Sequence, residues 1–594
     1  MTLVFKRNND PQDLFEGQSS VMGRRWVHQE VDPRHALQLA QNHGIGTLSA
    51  SILLRRGLTF ETAGQFLQPT LRDLMPDPSH LKDLDGGVER VIKALLDKET
   101  IAVFGDYDVD GATATALLRR YFTDIGASLR VYIPQRIEEG YGPTIPAMEK
   151  LAQEGTTTLL MVDCGTTAFD PLGEAKNLGM DVIVIDHHMS QASLPVATAV
   201  INPNRLDEES PLTHLCAAGL SFIFMVALHR RLRQEGWFDG KVEPDLRQYL
   251  DLVALGTVCD VMQLTGLNRA FVSQGLKVMA RRGNPGLRAL SDVAGLDDTP
   301  SAYHLGFLIG PRINAGGRVG CADYGSRLLS TSDVLEAQQL ARELDLYNKE
   351  RQAIESLVLE EAIVQVESKG LDRHPVILVG QEGWHPGVIG IVAGRLKERY
   401  NRPTCVVGFD GDIGKGSGRS IAGVNLGTAM HVAVHQGLLV AGGGHAMAAG
   451  FTVMKDQFDA FYAFIRDHLR QQVACIDPVL EVDGLLIPSG ATLELIRELK
   501  MLEPFGNGNP TPKFCIHKAR VVYAEPIGIN HIRCALEGED GTRLKAMAFR
   551  ALGTPLGDEI LSRNNKSIQV AGTLKADTWN GRTTVTCFID DVMV

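Results

Sequence analysis

Between residues 89 and 203 short apolar runs alternate with amphipathic segments, and this alternation restricts the fold more than any other feature of the chain. The order is IAVFG, GATATALLRRYFTDIG, LRVYIP, TIPAMEKLAQEG, TLLMVD, DPLGEAKNLG and DVIVID. Short continuous apolar runs suit strands buried on both faces, whereas the segments between them carry helical spacing. Strand, helix, strand, helix implies βαβ units. The expected fold class is therefore α/β, with a mainly parallel sheet covered on both faces.

Acidic and imidazole side chains gather where these runs end. They are Asp106, Asp108 and Asp110 in FGDYDVDG, Asp163 in MVDCG, Asp186, His187 and His188 in VIDHH, and Asp260 in GTVCD. Open α/β sheets bind ligands at the carboxyl ends of their strands, so three of the four clusters share one edge. Asp260 closes a helical stretch, DLRQYLDLVALGTVCDV, that can bring it to the same place. Carboxylate oxygens with a little imidazole suit Mg²⁺ or Mn²⁺, and two such ions side by side hydrolyse phosphoesters. An EF-hand is the rival reading of DYDVDG, but the glutamate that such a loop needs after its glycine falls at Leu117. Asp163 alone serves equally well as a helix cap. An Asp-His-His triplet at the end of a buried strand is costly unless paired or coordinated.

The rest of the chain divides by composition. Residues 1–70 read as a helical segment, through LLRRGLTFETAGQFL, and the proline-rich PTLRDLMPDPSH leads into a catalytic domain at 71–330. Residues 331–370 form one proline-free helical pattern, long enough to span roughly 50 Å and join two lobes across a cleft. A second α/β domain opens with HPVILVG and fills 371–475, and 476–594 carries closely spaced strands such as KARVVYAE, HIRCALEG and TTVTCFIDDV that favour a small β-barrel. A net charge of −12 excludes indiscriminate binding to nucleic acid but leaves room for a local basic groove. Nine cysteines without a CxxC pair indicate reduced thiols and no zinc site. The N-terminus lacks the apolar core of a signal peptide, and the apolar stretch around Leu215 to Leu228 is too short to span a bilayer, so no membrane association and a cytoplasmic location are expected.

DYDVDG, VDCG, DHH, the CD of GTVCD, GPRINAGGR, GSGRS and GGGHAMAAG occur in an order that resembles the DHH phosphoesterase family, and within it the single-strand-specific exonucleases, over residues 70 to 594. The resemblance implies a DHH domain, a DHHA1 domain after the long helix, and an OB-like barrel. It implies that Asp108, Asp110, Asp163, His187 and Asp260 hold two Mg²⁺ or Mn²⁺ ions. Asp106 counts with this metal set and His188 with the catalytic set, and both also fit as residues that orient ligands. Related pyrophosphatases carry a metal-binding histidine where this chain has Phe104, a departure that either is compensated by Asp106 or leaves one metal weakly bound.

Substrate contacts are expected from the second lobe. GSGRS offers Ser417, Arg419 and Ser420 and GGGHAMAAG offers His445, a glycine-rich loop beside an arginine being a good phosphate cradle, with a tight turn as the alternative. Arg136, Arg312 and Arg318 are further phosphate contacts, and His385 is a weaker one. Phe514, Tyr523, Phe549 and Trp579 serve either as stacking platforms for bases or as barrel core. The resemblance implies hydrolysis of single-stranded DNA from the 5′ end to mononucleotides, in DNA repair and recombination, by a monomer whose partners are single-strand-binding protein and a helicase. A small-substrate phosphodiesterase or pyrophosphatase, and a non-catalytic replication scaffold, are the alternatives. The first needs no barrel, and the second needs no intact ligand set.

Overall fold

The structure, a computed structural model, describes residues 12–15, 19–135, 139–140, 142–476, 478–563, 567–579 and 581–594. The catalytic lobe is built on five parallel strands in the spatial order Arg130–Tyr132, Ile101–Phe104, Thr158–Val162, Asp181–Ile185 and Ala199–Ile201. Alternate residues supply two apolar faces: Val103, Leu160, Val162, Ile183 and Ile185 belong to one core, Ala102, Phe104, Leu159, Met161 and Val184 to the other. Both faces are covered, as the uninterrupted apolar runs require.

Register aligns the strand ends. Phe104 pairs with Met161, Val162 with Ile185, and Ile185 with Ile201. The residues after these pairs, Asp163, Asp186 and Asn202, therefore stand in a row, with Asp106 one strand further along. The first strand in sequence lies between the second and the third, so the connections that leave Ile101–Phe104 and Thr158–Val162 run in opposite directions and open a crevice between these two strands. This is the topological switch point at which open α/β sheets bind ligands, and Asp106 to Asp110 and Asp163 flank it.

The helix Val334–Ser368 runs for 35 residues, about 50 Å. Ala337, Leu340, Ala341 and Leu344 pack into the catalytic lobe, and Val358, Ala362 and Val366 into the second lobe. One helix thus sets the spacing between the two.

The second lobe has a mixed five-stranded sheet in the order Ala441–His445, Ala448–Met454, Ile413–Arg419, Thr404–Asp410, Ile377–Glu382. GSGR and GGGH are strands here rather than the loops their glycines suggested. In Ile413–Arg419 the glycines face inward: a Cβ on Gly416 would lie 2.2 Å from Phe451, and one on Gly418 2.5 Å from Leu426. Glycine is required there by close packing, and Lys415, Ser417 and Arg419 face the opposite way.

The C-terminal strands Lys513–Ile527, His531–Gly538, Arg543–Ala548, Arg582–Met593 and Ser567–Trp579 close into a barrel, the last pairing back with the first. The N-terminal helices Pro33–His43, Thr47–Arg55 and Phe60–Leu67 share its core, placing Leu39, Ile52 and Phe66 with Phe514, Leu536 and Val570. The N-terminal region is therefore part of the barrel domain, and it contributes a strand, Arg25–His28, beside Val479–Glu481. Trp26, fully buried, donates its indole N–H to the buried Asp591 carboxylate at 3.1 Å. Among the described residues no helix is long and apolar enough to cross a membrane.

Candidate metal centre and cleft

Each acidic side chain is fixed by local backbone chemistry. Asp108 caps the helix Val109–Asp124, its Oδ1 accepting the Gly111 N–H at 3.1 Å. Gly111 cannot be replaced without cost, since a Cβ would lie 2.6 Å from the Asp106 carbonyl oxygen. Asp110, in the first turn of that helix, accepts the N–H groups of Ala217 at 2.6 Å and Ala218 at 2.9 Å, at the N-terminus of the helix Ala217–Gln234. Asp106 accepts its neighbour's N–H from Tyr107 at 2.7 Å. Asp163 sits at φ +61°, a left-handed turn that lifts its carboxylate off the strand end, and Asp260 caps the C-terminus of Leu250–Cys259.

These turns converge. His187 Nε2 lies 3.2 Å from Asp163, 3.5 Å from Asp260 and 3.8 Å from Asp110. Potential ligand atoms of Asp106, Asp108 and Asp163 lie within 4.8 Å of one another, as do those of Asp110, His187 and Asp260. Asp106, Asp110 and Asp163 are each at most 3% exposed. Burial, then repulsion from Asp108, Asp110, Asp106 and Asp260, raises the Asp163 carboxyl well above the usual range. Burial, then Asp110 and Asp108, pushes Asp260 up to about 9, and burial raises Asp110 against the opposing pull of His187. His187 is lowered, chiefly by burial. One imidazole cannot neutralise this many packed carboxylates. Asp260 Oδ2 is moreover buried without a hydrogen-bond partner among the described residues. Oxygen-rich donors carrying excess negative charge and an orphaned carboxylate oxygen fit hard divalent cations.

His188 also brings a ring nitrogen within 4.8 Å of ligand atoms of Asp163 and His187, and Asp186 anchors it. Asp186 accepts from Thr166 N–H, His187 N–H, His188 N–H and His188 Nδ1 at 3.0, 2.8, 3.2 and 2.7 Å. Asn202 Nδ2 donates to the His188 carbonyl and to Thr166 Oγ1, both at 2.8 Å, and Asn204 Nδ2 donates to the His187 carbonyl at 2.6 Å. This scaffold fixes the His-His backbone. Sequence reasoning passed over Thr166, Asn202 and Asn204, although VINPNR at the end of the last parallel strand carried the signal.

A cleft of about 720 Å³ separates the carboxylates from the second lobe. Tyr107, Asp108 and Arg318 of the catalytic lobe line it together with Lys415, Ser417, Arg419 and Gly443 of the second lobe. Arg419 donates to the Gly418 carbonyl at 2.8 Å and to Ser417 Oγ at 3.3 Å. Among the described residues no carboxylate pairs with Arg419. Arg318 donates to the Gly387 carbonyl at 2.8 Å, and His385, which caps the helix Pro386–Tyr400, shares the cleft. Three expected contacts lie elsewhere. Arg312 is paired with Asp345 at 2.9 Å, Ser420 is buried and donates to the Val424 carbonyl at 2.8 Å, and His445 is exposed at the strand end outside the cleft lining. Arg136 falls outside the described residues. Of the barrel aromatics, Phe514 is core, Tyr523 and Phe549 are exposed, and the Trp579 side chain falls outside the described residues.

Comparison with known proteins agrees with this division. The DHH family N-terminal domain matches residues 100–257, the DHHA1 domain 373–471 and the RecJ OB domain 482–591. The chain is similar to the single-stranded-DNA-specific exonuclease RecJ of Bacillus subtilis strain 168, with 34% identity over 578 residues, 96% of this chain and 71% of that protein. It superposes on the crystal structure of RecJ in complex with Mn²⁺ from Thermus thermophilus with a TM-score of 0.80 and 31% identity, covering 96% of this chain and 79% of that one. The Mg²⁺ complex of the same protein matches with a TM-score of 0.74 and 30% identity over 96% and 78% of the two chains.

Proposed function

The chain belongs to the RecJ family of single-stranded-DNA-specific exonucleases, and we propose that it degrades single-stranded DNA from the 5′ end to mononucleotides in DNA repair and recombination. Its activity is that of a metal-dependent single-stranded-DNA exonuclease using Mn²⁺ or Mg²⁺. The observation that carries the finer reading is the cleft, which Asp108 of the metal centre lines together with Arg419, Ser417 and Lys415 of the second lobe.

In this reading Asp106, Asp108, Asp110, Asp163, His187 and Asp260 hold the ions. When bound, two ions supply Lewis acidity and a water acidic enough to attack phosphorus near neutral pH. The chain's own groups do the rest. Ala217 and Ala218 N–H groups hold Asp110 in place. Asp186 keeps His188 charged, and that imidazolium, half-exposed beside the cluster, offers positive charge to the attacked phosphate. Arg419 and Ser417 seat a terminal phosphate as paired donors, and Lys415 adds a point charge. In this reading the cleft between the lobes admits one strand and excludes a duplex. A nuclease confined to single strands needs them exposed, so a helicase and single-strand-binding protein belong with this reading, as do a monomeric state and a cytoplasmic location.

Digestion of oligonucleotides labelled at either end, with Mn²⁺ or Mg²⁺ present, tests it. Release is expected from the 5′ end and from single strands only. Asp110→Ala and Asp163→Ala are expected to lose more than about 100-fold in rate, beyond the cost of removing an outer partner of a metal ligand. Release from the 3′ end would refute the polarity. Full activity in both variants would refute the metal assignment.

A further inference from the structure

Val261, the residue after Asp260, holds φ at +58°, a left-handed conformation that a β-branched residue adopts only where its surroundings impose it. The turn is wound over the end of the helix Leu250–Cys259. Asp260 N–H donates to the Gly256 carbonyl at 2.9 Å, Val261 N–H to Val258 at 3.1 Å, and Met262 N–H to Thr257 at 3.1 Å. This winding directs the Asp260 carboxylate to 3.5 Å from His187 Nε2.

The barrel domain grips the outside of the same turn. Asn507 Nδ2 donates to the Val261 carbonyl at 2.7 Å, and the Asn507 carbonyl accepts the Leu264 N–H at 2.7 Å. Gly506 lies so close that a Cβ there would stand 2.7 Å from Leu264 Cδ1. The start of the segment is tied to the catalytic lobe by Arg269, whose guanidinium donates to the carbonyls of Leu502, Glu503 and Pro504 at 3.0, 2.7 and 3.3 Å. Asn507 therefore cannot drift from Val261 unless the whole segment moves.

We propose that Asn507 is a positioning residue for Asp260: its bond to the Val261 carbonyl holds the left-handed turn that presents the Asp260 carboxylate to the metal cluster. Docking of the barrel domain is thereby linked to metal affinity. The inference rests on the reading of Asp260 as a metal ligand.

Titration of Mn²⁺ into the metal-free full-length protein, followed by isothermal calorimetry, tests it. Asn507→Ala is expected to weaken Mn²⁺ binding about three- to tenfold, the range of one lost hydrogen bond. The Mn²⁺ concentration for half-maximal cleavage should rise in step, with the KM for single-stranded DNA at saturating Mn²⁺ unchanged. Asn507→Asp, which sets an acceptor against the Val261 carbonyl, is expected to weaken binding further. Adding Val261→Gly to Asn507→Ala should restore Mn²⁺ affinity, because glycine adopts the left-handed turn without a holder. Unchanged Mn²⁺ affinity in both Asn507 variants overturns the proposal, as does a lowered melting temperature without rescue by Val261→Gly. Asp260→Ala separates the two readings. If it binds Mn²⁺ like the parent, the ligand assignment itself fails; if it binds weakly while Asn507→Ala does not, only the positioning role fails.

Discussion

His188 Nδ1 lies 2.7 Å from Asp186 Oδ1, while three backbone N–H groups occupy further acceptor sites of the same carboxylate. Burial opposes both charges, yet the hydrogen bond and mutual attraction hold Asp186 well below the usual carboxylate range and lift His188 to about 9. A carboxyl depressed on folding contributes stability above its unfolded pKa of about 4, lost as pH falls; a raised histidine contributes below about 6.5, lost as pH rises through about 9. Asp186→Asn in the metal-free protein is therefore expected to cost about 1–2 kcal/mol near pH 6, after allowance for the half-exposed imidazole, with the difference from the parent narrowing toward pH 10. Thermal denaturation across that pH range checks it, and a pH-independent difference would contradict it.

The raised carboxyls of Asp110, Asp163 and Asp260 predict proton release on metal binding. Burial is the first cause for each, with repulsion among the carboxylates adding to it. Metal-free, these groups hold protons that the unfolded chain has shed, so stability falls as pH rises from about 4 through neutrality. A cation requires them ionised. Mn²⁺ affinity should therefore increase with pH, about one to two protons should leave per binding event near pH 7, and Mn²⁺ should raise the melting temperature more at pH 8 than at pH 6. Calorimetry in buffers of different ionisation heat counts the protons.

Gly390 sits where the helix Pro386–Tyr400 meets the cleft, and a Cβ there would lie 2.9 Å from Ser417 Oγ and 3.2 Å from Arg419 Nη2. Gly390→Ala is expected to push both donors off the phosphate position, raising the KM for single-stranded DNA by about tenfold with Mn²⁺ affinity unchanged. Arg419→Ala should cost about 10- to 100-fold in kcat/KM, and Arg419→Lys should recover only part, because an ammonium keeps the charge but loses the fork. Steady-state kinetics on a single-stranded oligonucleotide separates these outcomes.

The carboxylate row was legible because an apolar run that stops at Asp163 or Asp186 marks a strand end, and parallel register turns separate strand ends into one edge. The second lobe was less so. Glycines 416 and 418 read as loop residues because glycine weakens strands, yet here they make space for Phe451 and Leu426. Strand alternation then sends Lys415, Ser417 and Arg419 to the cleft, and Ser420, just past the strand, turns inward. Asn202 and Asn204 were passed over and proved to be the props of the two histidines. The union of the N-terminal helices with the barrel joins residues such as Trp26 and Asp591, and no local pattern announces a partner 565 positions away.

Arg269, like Asn507, joins that union to the catalytic lobe. It is 1% exposed, stacks 3.6 Å from the Phe66 ring centroid and donates to the Phe66 carbonyl at 2.7 Å as well as to Leu502, Glu503 and Pro504. A planar fork of donors is the one side chain that can satisfy four carbonyls from two segments at once. Arg269→Ala removes this donor from the Phe66 and Glu503 carbonyls, while those of Leu502 and Pro504 keep the Asn509 Nδ2 donor at 2.9 and 2.7 Å, with an expected cost of about 2–4 kcal/mol. Arg269→Lys should restore little of this, since an ammonium cannot span the same acceptors. Because the lost contacts join the barrel domain to the catalytic lobe, urea unfolding of Arg269→Ala should separate into two transitions where the parent shows closer coupling, and limited proteolysis should open the segment near Leu502 before the catalytic sheet. A single transition at the parent's midpoint would show that the two parts are held together elsewhere.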